Sequence, residues 1–228
     1  MRAIYHPFDQ HKKGDQVQIT GDAAHHLNVV RVKQNEIILL LNGNGSKITG
    51  VVESVSKNNV TINISESENF LCEHELSLAI AMPKKDAFED ILKISVELGI
   101  KEIFPLVSEF SQYEYSPSER VQRVLESALI QSNNPFFPFI HPQQSIKQFL
   151  AGHQNTIVFF NSKKNDSHLS ENAAEQKTIL IGPEGGFSQE EIDQIMNFPK
   201  VLEIHLATPI MRAPTAVAAS VGYLLNKI

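Results

Sequence analysis

A chain of 228 residues is long enough to bury one large core or two small ones, and its net charge of −6 argues against indiscriminate coating of nucleic acid. A single cysteine, Cys72, excludes a disulfide scaffold, and no apolar run is long enough to span a bilayer. Without a basic-then-apolar leader at its start, the sequence is expected to belong to a soluble, cytoplasmic protein with no membrane partner.

In chain order, strand periodicity appears at residues 2–8, 16–20, 36–41, 46–55 and 59–65. Short strands so closely spaced predict a small β-barrel over residues 1–70. One short helix interrupts them at 22–30, with Gly21 or Asp22 at its start. Asn42-Gly43 between two apolar runs signals a hairpin. The adjoining Gly43-Asn44-Gly45-Ser46-Lys47 lacks the full glycine spacing of a phosphate loop and precedes no helix, so it is not read as a nucleotide site. Residues 66–75 are polar and acidic without a clear period, which places the domain boundary there and a second domain over 74–228. Basic pairs at Lys12-Lys13, Arg31 with Lys33, Lys84-Lys85 and Lys163-Lys164 offer local cationic surface for RNA, although each also reads as an ordinary solvated face.

Beyond the boundary the rhythm changes to strand at 76–82, helix at 84–98 closed by Gly99, strand at 102–107, helix at 118–132 and strand at 156–160. Such alternation predicts an α/β domain with a parallel sheet. The most informative stretch begins at Thr178, where a buried strand meets Gly182-Pro183-Glu184-Gly185-Gly186. In open α/β sheets ligands settle outside the carboxyl ends of strands, and residues without a Cβ let backbone groups approach a small molecule. Ser188 with Glu191 has the form of a capping box and fixes the next helix start. A further strand at 201–206 leads through 207–215 into a helix at 216–225, so two strand-end loops are expected to wall one pocket.

Other chemistries lack their patterns. Nine histidines include no His-Glu-x-x-His and Cys72 has no thiolate partner, so no metal is expected. Neither a Gly-x-Ser-x-Gly elbow nor a Walker sequence is present.

Four motifs in order resemble the bacterial 16S rRNA uridine-N3 methyltransferase family, a branch of the SPOUT methyltransferases. They are residues 23–31 with Asn42-Gly43-Asn44-Gly45, residues 93–99 ending Glu97-Leu98-Gly99, Gln131, and residues 181–192. The resemblance implies a PUA-like RNA-binding barrel followed by a SPOUT α/β trefoil-knot domain, a homodimer, and 16S rRNA within the small ribosomal subunit as partner. It implies S-adenosylmethionine as cofactor, held by Ile181, Gly182, Pro183, Glu184, Gly185 and Gly186, by Leu206, Ala207, Thr208, Pro209, Ile210 and Met211, and by Phe160 and Asn161 at a third strand end. Arg212 is the residue placed nearest the chemistry, while Arg31 and Lys33 are expected to hold RNA phosphates. Glu184 and His205 are the nearest acid or base groups in sequence, and neither is assigned as general base. Where the family typically runs Leu-Gly-x-Arg-Ile-Leu-Arg-x-Glu-Thr-Ala, this chain has Ala207, Pro209 and Pro214 in place of the glycine, the first arginine and the glutamate, and Asn133-Asn134 replaces a usual Gly-Arg. Two alternatives stay open: a SPOUT methyltransferase acting on another RNA, and a non-catalytic RNA-binding relative.

Overall fold

Alternating apolar residues in the first seventy positions become the inner face of one sheet. The computed structural model describes residues 1–8, 11–72, 75–161 and 176–226, and Lys163 and Lys164 lie outside the described residues. Five strands, β1 (Arg2–Tyr5), β2 (Gln16–Thr20), β3 (Ile37–Leu41), β4 (Ser46–Val55) and β5 (Asn59–Asn69), lie in the order β1-β3-β4-β5-β2. β1 runs parallel to β3 and the other pairings are antiparallel. Ile4, Val17, Ile19, Ile38, Leu40, Ile48, Val52, Val60 and Ile62 form a single buried cluster with Ala24 and Leu27 of helix α1 (Gly21–Val29). Because both edge strands contribute to that cluster, the sheet curls around its own core. Gly50 makes the tight β4–β5 approach possible: a Cβ there would stand 2.3 Å from Ile62 Cγ2, beside a register shift between Thr49 and Gly50.

The hairpin expected at Asn42-Gly43 joins β3 to β4. Asn42 Oδ1 accepts from the backbone N–H of Asn44 (2.8 Å) and Ser46 (3.0 Å), the local bonding that suits asparagine to turns. Gly43 (φ +78°) and Gly45 (φ +94°) need the left-handed region, and the rings of Phe137 and Phe136 fill the space their Cβ atoms would take. The Gly45 N–H donates to the Pro135 carbonyl at 2.9 Å, and Gly43 accepts from Phe137 N–H at 2.8 Å. These glycines therefore bind protein backbone, in keeping with the rejection of a phosphate loop.

Contacts divide the chain into one unit of Met1–Cys72 with Leu125–Phe137 and another of Glu73–Val124 with Pro138–Ile228. Packing of residues 135–137 onto the β3–β4 turn brings that later segment into the first unit, which a split into 1–70 and 74–228 does not anticipate.

The second unit carries the expected parallel sheet. Its strands are β6 (Leu76–Ala81), β7 (Glu102–Val107), β8 (Phe139–Ile140), β9 (Gln144–Ser145), β10 (Thr156–Phe160), β11 (Lys177–Ile181) and β12 (Val201–Ile204). The order is β12-β10-β11-β6-β7-β8, with β9 also on β7, and every pairing is parallel. β6 and β11 are buried along their whole lengths, as continuous apolar runs covered on both faces require. Ala79, Ala81, Phe159 and Leu180 pack on one side with Ile146 and Phe149 of α4 (Ile146–Gly152) and Ile195 of α5 (Gln189–Met196). Helices α2 (Lys85–Glu97) and α6 (Ala213–Leu225) pack on each other, and α6 also lies against β11. Helix α3 (Glu119–Ser132) belongs to this unit only as far as Val124, its residues from Leu125 onward falling in the first.

Several boundaries differ from expectation. The first strand stops at Tyr5, and β12 stops at Ile204 because a tight turn intervenes. β5 continues to Asn69 through residues with no apolar alternation, since that end of the strand is exposed. α6 starts at Ala213 with Pro214 in its first turn, where proline removes no helical hydrogen bond. β8, β9 and α4 were not expected; α4 opens with a Ser145–Gln148 capping box.

Candidate functional site

Three strands of the second unit deliver their ends to one place. β10 lies between β11 and β12, so the loops leaving Phe160, Ile181 and Ile204 emerge side by side. They enclose a cavity of 320 Å³, at the small end of the range typical of ligand pockets, roughly 300–1,000 Å³. Phe159, Phe160 and Asn161 line it from β10, residues 181–187 from the loop after β11, and Leu206 with residues 208–211 from the loop after β12. Ala213, Ala216 and Ser220 close it from α6. The two expected walls are thus separated by a third, and Phe160 and Asn161 stand at the centre of the strand ends.

Every residue expected to hold cofactor lines this cavity except Ala207. The Thr208 N–H donates to the Leu206 carbonyl at 2.7 Å; this three-residue turn leaves Ala207 exposed at its middle, outside the wall. Gly186 N–H donates to the Pro183 carbonyl at 2.9 Å, closing a four-residue turn that carries Glu184 exposed at its tip. The two adjacent glycines answer different demands. Gly186 adopts φ +75° with open space around it, whereas Gly185 lacks a positive φ and lies under Phe110, whose Cβ would stand 3.0 Å from a Cβ at position 185.

The expected capping box is present: Ser188 Oγ accepts from Glu191 N–H and Ser188 N–H donates to Glu191 Oε2 at 2.9 Å. Glu191 does more than cap, because its other oxygen accepts from the Glu109 backbone N–H at 2.8 Å and ties residues after β7 to the start of α5. Sequence reasoning gave no sign of that bond, which links positions 82 residues apart.

Glu203 was also missed. Its carboxylate, 7% exposed, accepts from Asn161 Nδ2 at 2.7 Å, while Asn161 N–H donates to the Ile204 carbonyl at 3.0 Å. A charged group is buried only where hydrogen bonds repay its lost hydration, and an acid within the apolar strand Val201-Leu202-Glu203-Ile204 was the available signal. His205 Nδ1 lies 3.3 Å from the Asn161 carbonyl oxygen, so this imidazole braces the strand end. Arg212 is exposed and sits at the N-cap of α6 between the wall residues Met211 and Ala213; its own side chain does not line the cavity.

Two of the departures from the family pattern have local explanations. Pro214 occupies the helix position that tolerates it. Asn133 takes φ +55° just after α3, the left-handed conformation glycine would otherwise supply, and Asn134 Oδ1 accepts from Phe136 N–H at 3.0 Å.

In the first unit, Arg31 (φ +55°) and Lys33 are exposed on either side of buried Val32. Lys33 N–H donates to Glu36, whose other carboxylate oxygen pairs with Arg2 at 2.6 Å. Lys12 and Lys13 line an open polar depression with His11, Ser46, Ser65 and Asn69. The residues lining that depression include neither Arg31 nor Lys33. Among the described residues no cluster of three His, Cys, Asp or Glu side chains suits a metal ion, and no helix is long and apolar enough to cross a membrane.

Comparison with known proteins gives this geometry a context. Residues 71–225 match the RNA methyltransferase domain family and residues 19–65 the RNA methyltransferase PUA domain. A Ribosomal RNA small subunit methyltransferase E from Mesomycoplasma hyopneumoniae is 27% identical, covering 98% of each chain. One from Rickettsia conorii is 25% identical, covering 92% of this chain and 89% of the relative. The crystal structure of a Ribosomal RNA small subunit methyltransferase E from Neisseria gonorrhoeae, bound to S-adenosyl methionine, superposes with a TM-score of 0.90 at 24% identity over 99% of this chain and 97% of that one. That agreement shows a common fold.

Proposed function

Since the chain belongs to the RNA methyltransferase domain family, we propose that it transfers a methyl group from S-adenosylmethionine to N3 of a uridine in 16S rRNA of the small ribosomal subunit. The observation that carries this reading is the cavity at three adjacent parallel strand ends, walled by the Gly182–Gly186 backbone and by the loop after β12. The relatives named for small-subunit rRNA methylation support the acceptor, and the Neisseria structure supports the cofactor.

The residues present fit that cofactor. Ile181, Leu206, Ile210 and Met211 offer apolar surface for an adenine ring, and Gly185 and Gly186 leave backbone groups approachable by a polar tail. When bound, S-adenosylmethionine supplies an electrophilic methyl group on a sulfonium. The protein's part is chiefly to orient and exclude water, and alignment alone can supply a large share of the acceleration. Asn161, fixed by Glu203 and by the Ile204 carbonyl, holds the central strand end rigid. Uridine N3 carries a proton and lies on the pairing edge, so the base must leave its stack before it reacts. Arg212, at the N-cap of α6 between the wall residues Met211 and Ala213, stabilises the uracil as N3 gives its proton to solvent water.

We assign residues 1–70 as the RNA-holding domain, with Arg31 and Lys33 on phosphates, and residues 74–228 as the methyltransferase domain. The insertion of β12 beside β10, with β11 on the other side of β10, supports a C-terminal segment threaded as a trefoil knot. Small residues Ala216, Ala218, Ala219 and Gly222 on α6 support close packing in a homodimer. A ribosomal substrate supports a cytoplasmic setting.

The test is transfer of labelled methyl from S-adenosylmethionine to small subunits from cells lacking this gene, to naked 16S rRNA and to bulk tRNA, followed by identification of the labelled nucleotide. N3-methyluridine in the subunit or 16S sample is expected. Label only in tRNA would move the acceptor to another RNA, and cofactor binding without label in any sample would make the chain a non-catalytic RNA-binding relative.

A further inference from the structure

Phe110 packs on Gly185 of the cavity wall without itself lining the cavity, and it has no part in the chemistry above. The residue is 41% exposed, and the base of its side chain packs on Gly185 so closely that a Cβ at that position would lie 3.0 Å from the Phe110 Cβ and 3.3 Å from its Cγ. The turn that carries it is held from several directions. Glu109 N–H donates to Glu191, Ser108 N–H to Ser111 Oγ at 2.9 Å, Ser111 N–H to the Ser108 carbonyl at 3.1 Å, and Gln112 N–H to the Met82 carbonyl at 3.0 Å. A ring fixed in this way loses little conformational freedom when something packs on it.

The other rings around the cavity are occupied within the protein. Phe159 is 2% exposed and meets Phe187 edge-on with centroids 5.8 Å apart, and Phe160 meets Tyr223 edge-on at 6.1 Å. Phe110 has no such ring partner among the described residues. Ile210, 91% exposed on the loop after β12, adds a second uncovered apolar side chain at the same cavity.

We propose that Phe110 is the stacking platform for the acceptor base, an assignment that rests on reading this cavity as the site of methyl transfer to RNA. A base drawn out of its stack loses both π contacts, and enzymes acting on extruded bases restore them with aromatic or apolar side chains. Phe110 offers an exposed aromatic side chain next to the glycine turn of the cavity wall. Because every base has a π face, such contact holds the acceptor without choosing it, so Phe110 sets affinity for the extruded base and leaves identity to polar contacts.

The experiment compares wild type with Phe110→Leu, which keeps apolar bulk but loses the flat ring, and Phe110→Trp, which restores it. Cofactor affinity is measured by calorimetry, and KM and kcat are measured with small subunits from cells lacking this gene. Stacking on an aromatic side chain is worth on the order of a tenfold effect or more. Expected is a drop of about tenfold in kcat/KM for Phe110→Leu, carried mainly by KM for RNA, with cofactor affinity unchanged and with Phe110→Trp close to wild type. Unchanged kcat/KM in Phe110→Leu overturns the proposal. So does an equal loss of cofactor affinity, which would make Phe110 a support for the Gly185 turn, and so does an equal defect in the Trp variant. A wild type that transfers no methyl group overturns the underlying reading and this assignment with it, an outcome distinct from an active wild type with a silent Leu variant.

Discussion

At the scale of single residues, the glycine pair shows how one sequence signal conceals two causes. Gly186 is required by its backbone, since a residue with a Cβ at φ +75° is strained even in open space. Gly186→Ala is therefore expected to cost on the order of 1–2 kcal/mol of stability, read from the midpoint of urea denaturation at unchanged slope. A midpoint equal to wild type would show that the turn relaxes to another conformation. Arg212 is a different case, because it is exposed between two wall residues and its own side chain does not line the cavity. Arg212→Ala should leave cofactor affinity within about twofold while lowering kcat by about tenfold or more, as loss of a charge acting on the transition state does. Parallel loss of cofactor affinity would move Arg212 from the acceptor to the cofactor.

At the scale of elements, strands and helices with strong periodicity were legible and irregular joints were not. The capping box at Ser188 and Glu191 announces α5, and the apolar runs of β6, β10 and β11 announce buried parallel strands. β8 and β9 have two residues each, too few for any period to show. The cavity's strand-end loops could be read because glycine, proline and strand ends are local signals. Glu203 and Phe110 could not, because their roles depend on partners 42 and 75 residues away across the sheet edge. α4 illustrates a similar long-range effect at its end. His153 follows the helix and packs among Phe104, Phe149 and Phe198, with Nε2 buried and lacking a hydrogen-bond partner among the described residues. Burial pushes its pKa below the ordinary imidazole value, so the folded chain keeps it neutral while the unfolded chain takes up a proton near pH 6.5. Its contribution is complete above that pH and is lost as pH falls through the depressed folded value. His6, lowered by burial and then by neighbouring His11, acts with the same sign. Thermal midpoints should accordingly fall between neutral pH and pH about 5.5, and fall less in His153→Phe. Equal acid slopes in the two proteins would assign the loss to other groups.

At the scale of the whole molecule, an acidic chain that acts on RNA must confine its attraction to particular surfaces, because a net charge of −6 repels a polyanion at long range. Salt then separates local contact from general attraction. Each phosphate neutralised by a lysine or arginine releases counterion and steepens the dependence of binding on salt by roughly 0.7–0.9 in logarithmic slope. Arg31 and Lys33 are exposed, and Lys12 and Lys13 line a depression that includes neither of them, so the two pairs can be removed separately. Replacing Arg31 and Lys33 with glutamine should weaken rRNA binding and lower the salt slope by roughly 1–2, with cofactor affinity unaltered because that cavity is built wholly within the second unit. The same change at Lys12 and Lys13 measures whether the polar depression shares the load. A slope unmoved by the first pair and reduced by the second would transfer the phosphate contacts from Arg31 and Lys33 to Lys12 and Lys13. A slope unmoved by both would move the phosphate contacts to other cationic surface, Lys84-Lys85 first.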